Sequence, residues 1–167
     1  QRLPQAAVFP RNVQDVQLLA RLVALAPFSS VVLTPRGGGT GTNGQSLTSG
    51  IVVDLSRHMN GILEINVEER WVRVQSGVVK DQLNAALKPH GLFFAPELST
   101  SNRATIGGMI NTDASGQGSC TYGKTRDHVL ALSTILIGGE RLDSAPLEPD
   151  QWQAQARRAD KVGAIHR

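Results

Sequence analysis

Residues 35–44 read Pro-Arg-Gly-Gly-Gly-Thr-Gly-Thr-Asn-Gly. Glycine admits positive φ and lets a ligand come close to the backbone. Successive N–H groups in such a turn form a concavity that holds an anion. Arg36 and the hydroxyls of Thr40 and Thr42 add donors suited to phosphate oxygens. A second run, residues 104–116, reads Ala-Thr-Ile-Gly-Gly-Met-Ile-Asn-Thr-Asp-Ala-Ser-Gly and again mixes small residues with polar ones. Small residues admit a flat ring or a phosphate, and Asn and Thr offer partners to carbonyl and ring-nitrogen groups. The chemistry these residues can do is holding rather than bond-making. Two such runs, about 65 positions apart, suggest an extended ligand clamped at both ends, as a dinucleotide would be.

Two familiar phosphate loops do not fit. The first run lacks the Gly-Lys-Ser/Thr ending of the Walker loop. It also lacks the long helix and later acidic residue of the dinucleotide fingerprint. A plain Gly-rich hairpin stays open as the alternative. The remaining reactive side chains form no constellation. His58, His90, His128 and His166 have no metal-ligand spacing and read as surface or satisfied polar residues, and no metal site is expected. Cys120, the only cysteine, excludes an intrachain disulfide and reads as a free structural thiol. Glu64, Glu68 and Glu69 read as a solvated hairpin edge, Asp54 as the cap of a turn, and Trp71 as a sheet-packing residue. Asp127 with Arg126 reads as an ion pair. No catalytic residue can be assigned.

Three motifs in order carry a family resemblance: residues 35–41, residues 104–116, and residues 122–132 (Tyr-Gly-Lys-Thr-Arg-Asp-His-Val-Leu-Ala-Leu). Together with the opening Val8-Phe9-Pro10 they resemble the FAD domain of the vanillyl-alcohol oxidase/para-cresol methylhydroxylase superfamily over residues 6–143. Within it the chain is most similar to the FAD-linked dehydrogenases of 2-hydroxy acids such as glycolate, D-lactate and D-2-hydroxyglutarate. The resemblance implies an FAD-binding type-2 (PCMH-like) fold, held here in truncated form. It implies that Arg36, Gly37, Gly38, Gly39, Thr40 and Gly41 wrap the FAD pyrophosphate, with Thr42, Asn43 and Gly44 continuing the wrap. Pro96, Glu97 and Ser99 would sit beside the flavin or ribityl chain. Thr105, Gly107, Gly108, Asn111, Thr112, Ser115 and Gly116 would line the isoalloxazine and diphosphate path, closed by Tyr122 and Gly123. Relatives often carry Asp-Pro-Ser-Ser at the position of residues 97–100, and Asn-Ala-Gly-Gly at residues 113–116. Members that attach FAD covalently often place a His in the first loop. None stands there, so non-covalent FAD is expected. An iron–sulfur cluster, where the intact protein has one, is not expected in this segment.

The elements that must position these loops are legible in part. Residues 10–26 read as a helix that Asn12 can cap, with Val16, Leu19, Leu22 and Val23 at helical spacing. Residues 31–34 and 51–55 read as strands. Residues 62–66 and 71–75 alternate as the arms of a hairpin. Residues 79–90 form an amphipathic helix ended by Gly91. Residues 92–122 read as a long irregular stretch, residues 129–137 as an apolar strand, and Gly138-Gly139 as the turn after it. The last residues, 144–167, read as a polar tail, helical or flexible, with a candidate helix at 151–158. The pattern gives an α+β chain with a small parallel lobe and an antiparallel lobe, divided as an FAD domain over residues 1–143 and a tail over 144–167.

The formal charge of +3 is dispersed and only 4% of the residues are aromatic, which excludes a nucleic-acid face with stacking partners. No stretch approaches the about 18 apolar residues of a membrane span. A cytoplasmic place follows as the expectation, with membrane association only through parts outside this segment. The function expected is the FAD-binding portion of an oxidoreductase that oxidises a 2-hydroxy acid by hydride transfer to FAD, with further FAD and substrate domains as partners and no turnover by this segment alone. A self-pairing dimer that covers exposed apolar surface is a further expectation. The alternative is a non-redox anion- or nucleotide-binding or assembly module on a degenerate flavin fold. A cell-wall sugar-nucleotide reductase shares the fold but matches the motifs less closely.

Overall fold

In a computed structural model, residues 2–167 are described. The chain runs β1 (Ala6–Val8), α1 (Val13–Leu22), β2 (Leu33–Arg36), β3 (Ile51–Asp54), β4 (Ile62–Asn66), β5 (Trp71–Val74), α2 (Lys80–Leu87), α3 (Ile106–Thr112), α4 (Ser119–Tyr122), β6 (Leu132–Ile135), β7 (Arg141–Ser144), α5 (Pro149–Ala156) and α6 (Lys161–His166). Two compact units emerge. One joins the stretch ending at Asn12 to Val32–His128, and the other joins Val13–Val31 to Val129–Arg167. The boundary expected at 143/144 runs through β7, inside the second unit, because β7 is paired to β6.

In the first unit β1, β3 and β2 form a parallel sheet with β3 in the centre. Val52 and Val53 of that central strand are buried, as a strand flanked on both edges should be. The β2 strand lies two residues later than its apolar run suggests and includes Pro35. Proline lacks an N–H but is tolerated on an edge strand, and β2 pairs only with β3. Its pairing continues to Arg36 against Asp54, so the glycine run starts at a held strand end. Asp54 then turns the chain as expected: its Oδ1 accepts from Ser56 N at 2.9 Å and Ser56 Oγ at 2.7 Å.

The hairpin β4–β5 is antiparallel with a register shift between Ile62 and Glu64. Its Ile62, Ile65, Val72 and Val74 pack on a core of Val78, Leu83, Leu87, Ala104, Ile106 and Met109. Leu83 and Leu87, one helical turn apart, turn α2 onto that core. A 3-10 turn over Lys88–His90 follows, and Gly91 at φ 68 ends it.

Residues 92–122 are not the irregular stretch their composition suggests. They hold α3 and α4. The Gly107-Gly108 pair hides the helix signal, because glycine costs roughly 1 kcal/mol against Ala inside a helix. What starts α3 is the cap: Thr105 is extended and its hydroxyl accepts from Gly108 N at 3.3 Å. Burial of Ile106 and Met109 on one face then holds it.

In the second unit β6 is shorter than the apolar run 129–137, because only Leu132–Ile135 pairs with β7. The turn Gly138-Gly139 has φ 113 and 86, which only glycine adopts readily. Gly138 N donates to Ala20 O at 3.0 Å and Gln17 Nε2 to Gly139 O at 2.9 Å, which ties the turn to α1. The segment after β7 carries two helices. The α5 helix starts at Pro149, where Gln151 Oε1 accepts from Glu148 N at 3.0 Å. The six-residue α6 is capped by Asp160, whose Oδ1 accepts from Gly163 N at 3.0 Å, and is anchored by buried Val162. Its brevity and its glycine concealed it in the sequence. Among the described residues no helix is long and apolar enough to cross a membrane.

Candidate functional site

The first loop leaves β2 and meets the second run rather than standing at the far end of a ligand from it. A Cβ at Gly37 would lie 2.0 Å from Thr105 Oγ1, and one at Gly38 would lie 2.0 Å from Arg103 O. The glycines therefore let one loop rest directly on the other. Gly39, at φ 65, then turns the chain back beneath the Arg36 guanidinium.

Both loops line one cleft of about 170 Å³. From the first loop come Arg36, Gly37, Gly38, Gly39, Thr40 and Gly41. From the second come Thr105, Gly107, Gly108, Asn111 and Thr112. The other nominated residues stand elsewhere. Thr42, Asn43 and Gly44 follow the cleft-lining stretch without joining it. Pro96 is fully buried, while Glu97 and Ser99 are exposed. Gly116 packs on Glu97, whose carbonyl oxygen lies 2.1 Å from where a Gly116 Cβ would stand. Ser115 is exposed outside the cleft. Tyr122 meets Phe93 edge-on at 5.8 Å, and Gly123 N returns to Ser119 O at 2.9 Å. Sequence reasoning missed Gln45, Ser46, Ser76 and Leu98, which line the same cleft. Gln45 and Ser46 directly extend the first loop. Ser76 and Leu98 come from other parts of the chain and carry no motif.

Hydrogen-bond accounting separates the two loops. The amides of Gly38, Gly39, Thr40, Gly41 and Thr42 donate to no protein acceptor among the described residues. Backbone donors left open in this way are sites for an anion. In the second run the corresponding donors are occupied. Ile106 N donates to Val78 O, and Gly107 N to Ser76 O, each at 2.8 Å. Gly108 N donates to Thr105 Oγ1, and Thr112 Oγ1 to Gly108 O at 3.0 Å. The α3 start is thus a wall, and the helix adds Asn111 and Thr112 to the cleft lining. Arg36 is the one charged residue lining the cleft among the described residues, so the site favours an anion.

The wall is braced from behind. Thr125, fully buried, donates to Ala114 O through both N (3.2 Å) and Oγ1 (2.7 Å). Arg126 does not pair with Asp127 as the sequence suggests. Its guanidinium meets Asp113 at 2.7 Å and its N–H donates to Asp113 Oδ1 at 3.1 Å. Asp127 instead accepts from Lys124 N at 2.7 Å. Neighbouring residues in a 3-10 turn diverge, and Asp113, at φ 46 beyond the end of α3, is free to reach across. His128 Nε2 donates to Tyr122 O at 2.7 Å, so that histidine is a satisfied structural group.

The open amides, the single cation and the polar wall suit a diphosphate. The cleft, about 170 Å³, is smaller than the roughly 300–1,000 Å³ of a full small-molecule pocket. The chain is thus a domain of mixed parallel and antiparallel β-structure with a cleft suited to an anion. The chain belongs to the FAD binding domain family, which matches residues 4–144. It is 72% identical over its whole length to D-2-hydroxyglutarate dehydrogenase of Pseudomonas putida, of which it covers 17%. It is 62% identical over 99% of its length to D-2-hydroxyglutarate dehydrogenase of Escherichia coli, of which it covers 16%. Glycolate oxidase subunit GlcD of Bacillus subtilis is 37% identical over 84% of the chain, which covers 29% of that subunit. Among solved structures, an alkyldihydroxyacetonephosphate synthase shares the fold with a TM-score of 0.70 at 23% identity, over 86% of this chain and 26% of that one. The chain spans about a sixth of the length of the D-2-hydroxyglutarate dehydrogenases it matches.

Proposed function

We propose that this chain holds the diphosphate of non-covalently bound FAD in a protein that oxidises D-2-hydroxyglutarate or a close 2-hydroxy acid. The observation that carries the reading is the run of five open amides at Gly38–Thr42 beside Arg36. It is supported by the family and by the high identity to proteins that bear that substrate's name. FAD, when bound, supplies a two-electron acceptor for conversion of the hydroxy acid to the oxo acid.

The chain's own part is binding and placement. The loop amides and Arg36 take the diphosphate charge without a bound cation. The Thr105 cap and the Thr125 and Asp113 ties fix the opposing wall, so that little ordering remains when the cofactor enters. Asn111 and Ser76 offer hydrogen bonds along the cleft. Among the described residues the cleft lining holds no carboxylate and no histidine, so no lining side chain is suited to take the substrate's hydroxyl proton. That step is expected from sequence of the kind the longer relatives have beyond the matched stretch.

The test uses the longest soluble form of the protein. Yellow protein that releases free FAD on denaturation, and whose flavin absorption bleaches anaerobically with D-2-hydroxyglutarate, is the expected result. Bleaching by D-lactate or glycolate instead would move the substrate and leave the cofactor. Protein that stays colourless with added FAD yet binds inorganic pyrophosphate would favour a non-redox anion-binding module.

A further inference from the structure

The geometry points to Gln45 as a working part of the phosphate loop: its side-chain carbonyl braces the loop and its side-chain NH2 donates to the phosphate that the loop amides hold. The inference rests on the FAD reading for the identity of the ligand.

The orientation of the amide follows from its partner. The Asn43 N–H needs an acceptor, and Gln45 Oε1 supplies it at 3.0 Å. An Asn or Gln amide has its acceptor and its donors on opposite arms, so fixing the oxygen fixes the nitrogen. Nε2 then lies against Gly41, only 2.0 Å from where a Gly41 Cβ would stand. This places two N–H donors among the open amides of Gly38–Thr42, and neither finds a protein acceptor among the described residues. Gln45 itself lines the cleft together with Thr40 and Gly41. The same contact accounts for Gly41: any side chain there would displace the Gln45 amide. Asn43 takes no place in the cleft wall because its N–H is turned to the brace, which separates the bracing half of the loop from the donating half.

Gln45→Glu tests the two halves separately. The substitution keeps an oxygen for Asn43 N but replaces the donors with a negative charge against the phosphate. Gln45→Met keeps the length of the side chain and loses both brace and donors. In the full-length protein the expected loss of FAD affinity, read by flavin fluorescence quenching, is on the order of 10–100-fold for Gln45→Glu and about 10-fold for Gln45→Met. Binding of inorganic pyrophosphate, read by calorimetry, should weaken in parallel. The melting temperature of the FAD-free protein should stay unchanged in Gln45→Glu. FAD and pyrophosphate affinity equal to the unaltered protein in Gln45→Glu would overturn the inference. So would an affinity loss matched by an equal loss of stability in the FAD-free protein. If the unaltered protein binds pyrophosphate but not FAD, and Gln45→Glu weakens the pyrophosphate, the role of Gln45 stands while the FAD reading falls. If the unaltered protein binds neither, both fall.

Discussion

The loop at residues 37–44 and the run at residues 104–116 look alike in sequence, rich in glycine and small polar residues, yet they are built for opposite tasks. In the first, five consecutive amides have no protein acceptor among the described residues. In the second, Ile106, Gly107 and Gly108 give their amides to Val78, Ser76 and Thr105. The second-run glycines serve protein packing: a Cβ at Gly107 would lie 2.7 Å from Ser76 Cβ and 2.9 Å from Ser76 O. Glycine reports that something comes close. Whether that is a ligand or another strand of the same protein is decided by where the N–H groups go.

Substitutions that fill both close approaches give the largest effects and the sharpest contrast. Gly38→Ala would put a Cβ 2.0 Å from Arg103 O, so the loop must lift and its open amides lose their common focus. Gly107→Ala crowds Ser76 but leaves those amides in place. Both should cost stability of about 1–3 kcal/mol, as overpacking does. FAD affinity should fall about 100-fold or more in the first and less than about tenfold in the second, since up to about five charged hydrogen bonds are misaligned only in Gly38→Ala. Equal losses in both variants, measured well below their melting temperatures, would break the distinction. Arg36→Gln removes the lining cation without touching the amides. It should weaken FAD by about 5–10-fold, and the deficit should shrink as salt rises. A salt-independent deficit would mean that Arg36 acts through packing. Thr105→Val keeps the shape and removes the cap acceptor for Gly108 N, so unfolding free energy should drop by about 1 kcal/mol with little change in FAD affinity for the folded protein.

Much of this contrast was hidden in the sequence for physical reasons. The hairpin arms 62–66 and 71–74 and the helix 80–87 were legible because alternation and helical spacing report burial directly. The first loop was legible because an apolar strand feeds it. The α3 helix was not, because Gly107 and Gly108 suppress helix propensity while the cap and buried Ile106 and Met109 restore it through tertiary contact. Pro96 read as a ligand-side residue and lies fully buried, since motif position does not report which way a residue faces. The Arg126–Asp113 tie was missed because 13 positions separate the partners, while Asp127 stood next door.

The smallest expected effect uses two caps of the same design. Thr105 and Asp160 each accept from a glycine amide three residues on, Gly108 and Gly163. Thr105 is buried and cannot titrate, whereas Asp160 can. The Arg158 side chain, then the Gly163 amide, hold the Asp160 carboxyl below its ordinary value. A carboxyl lowered by folding stabilises above its unfolded value of about 3.9 and loses that contribution as pH falls through the lower folded value. Acid should therefore loosen α6 below about pH 4 while the α3 cap holds. Trp152 meets His166 of α6 at 4.8 Å and so reports on it. The expected result is an emission change in the unaltered protein that is reduced in Asp160→Asn, which keeps an acceptor but cannot titrate. An undiminished change in that variant would mean that another carboxylate governs α6. A simultaneous loss of hydrogen-exchange protection at the amides of Gly108 and Gly163 would show that acid does not tell the two caps apart.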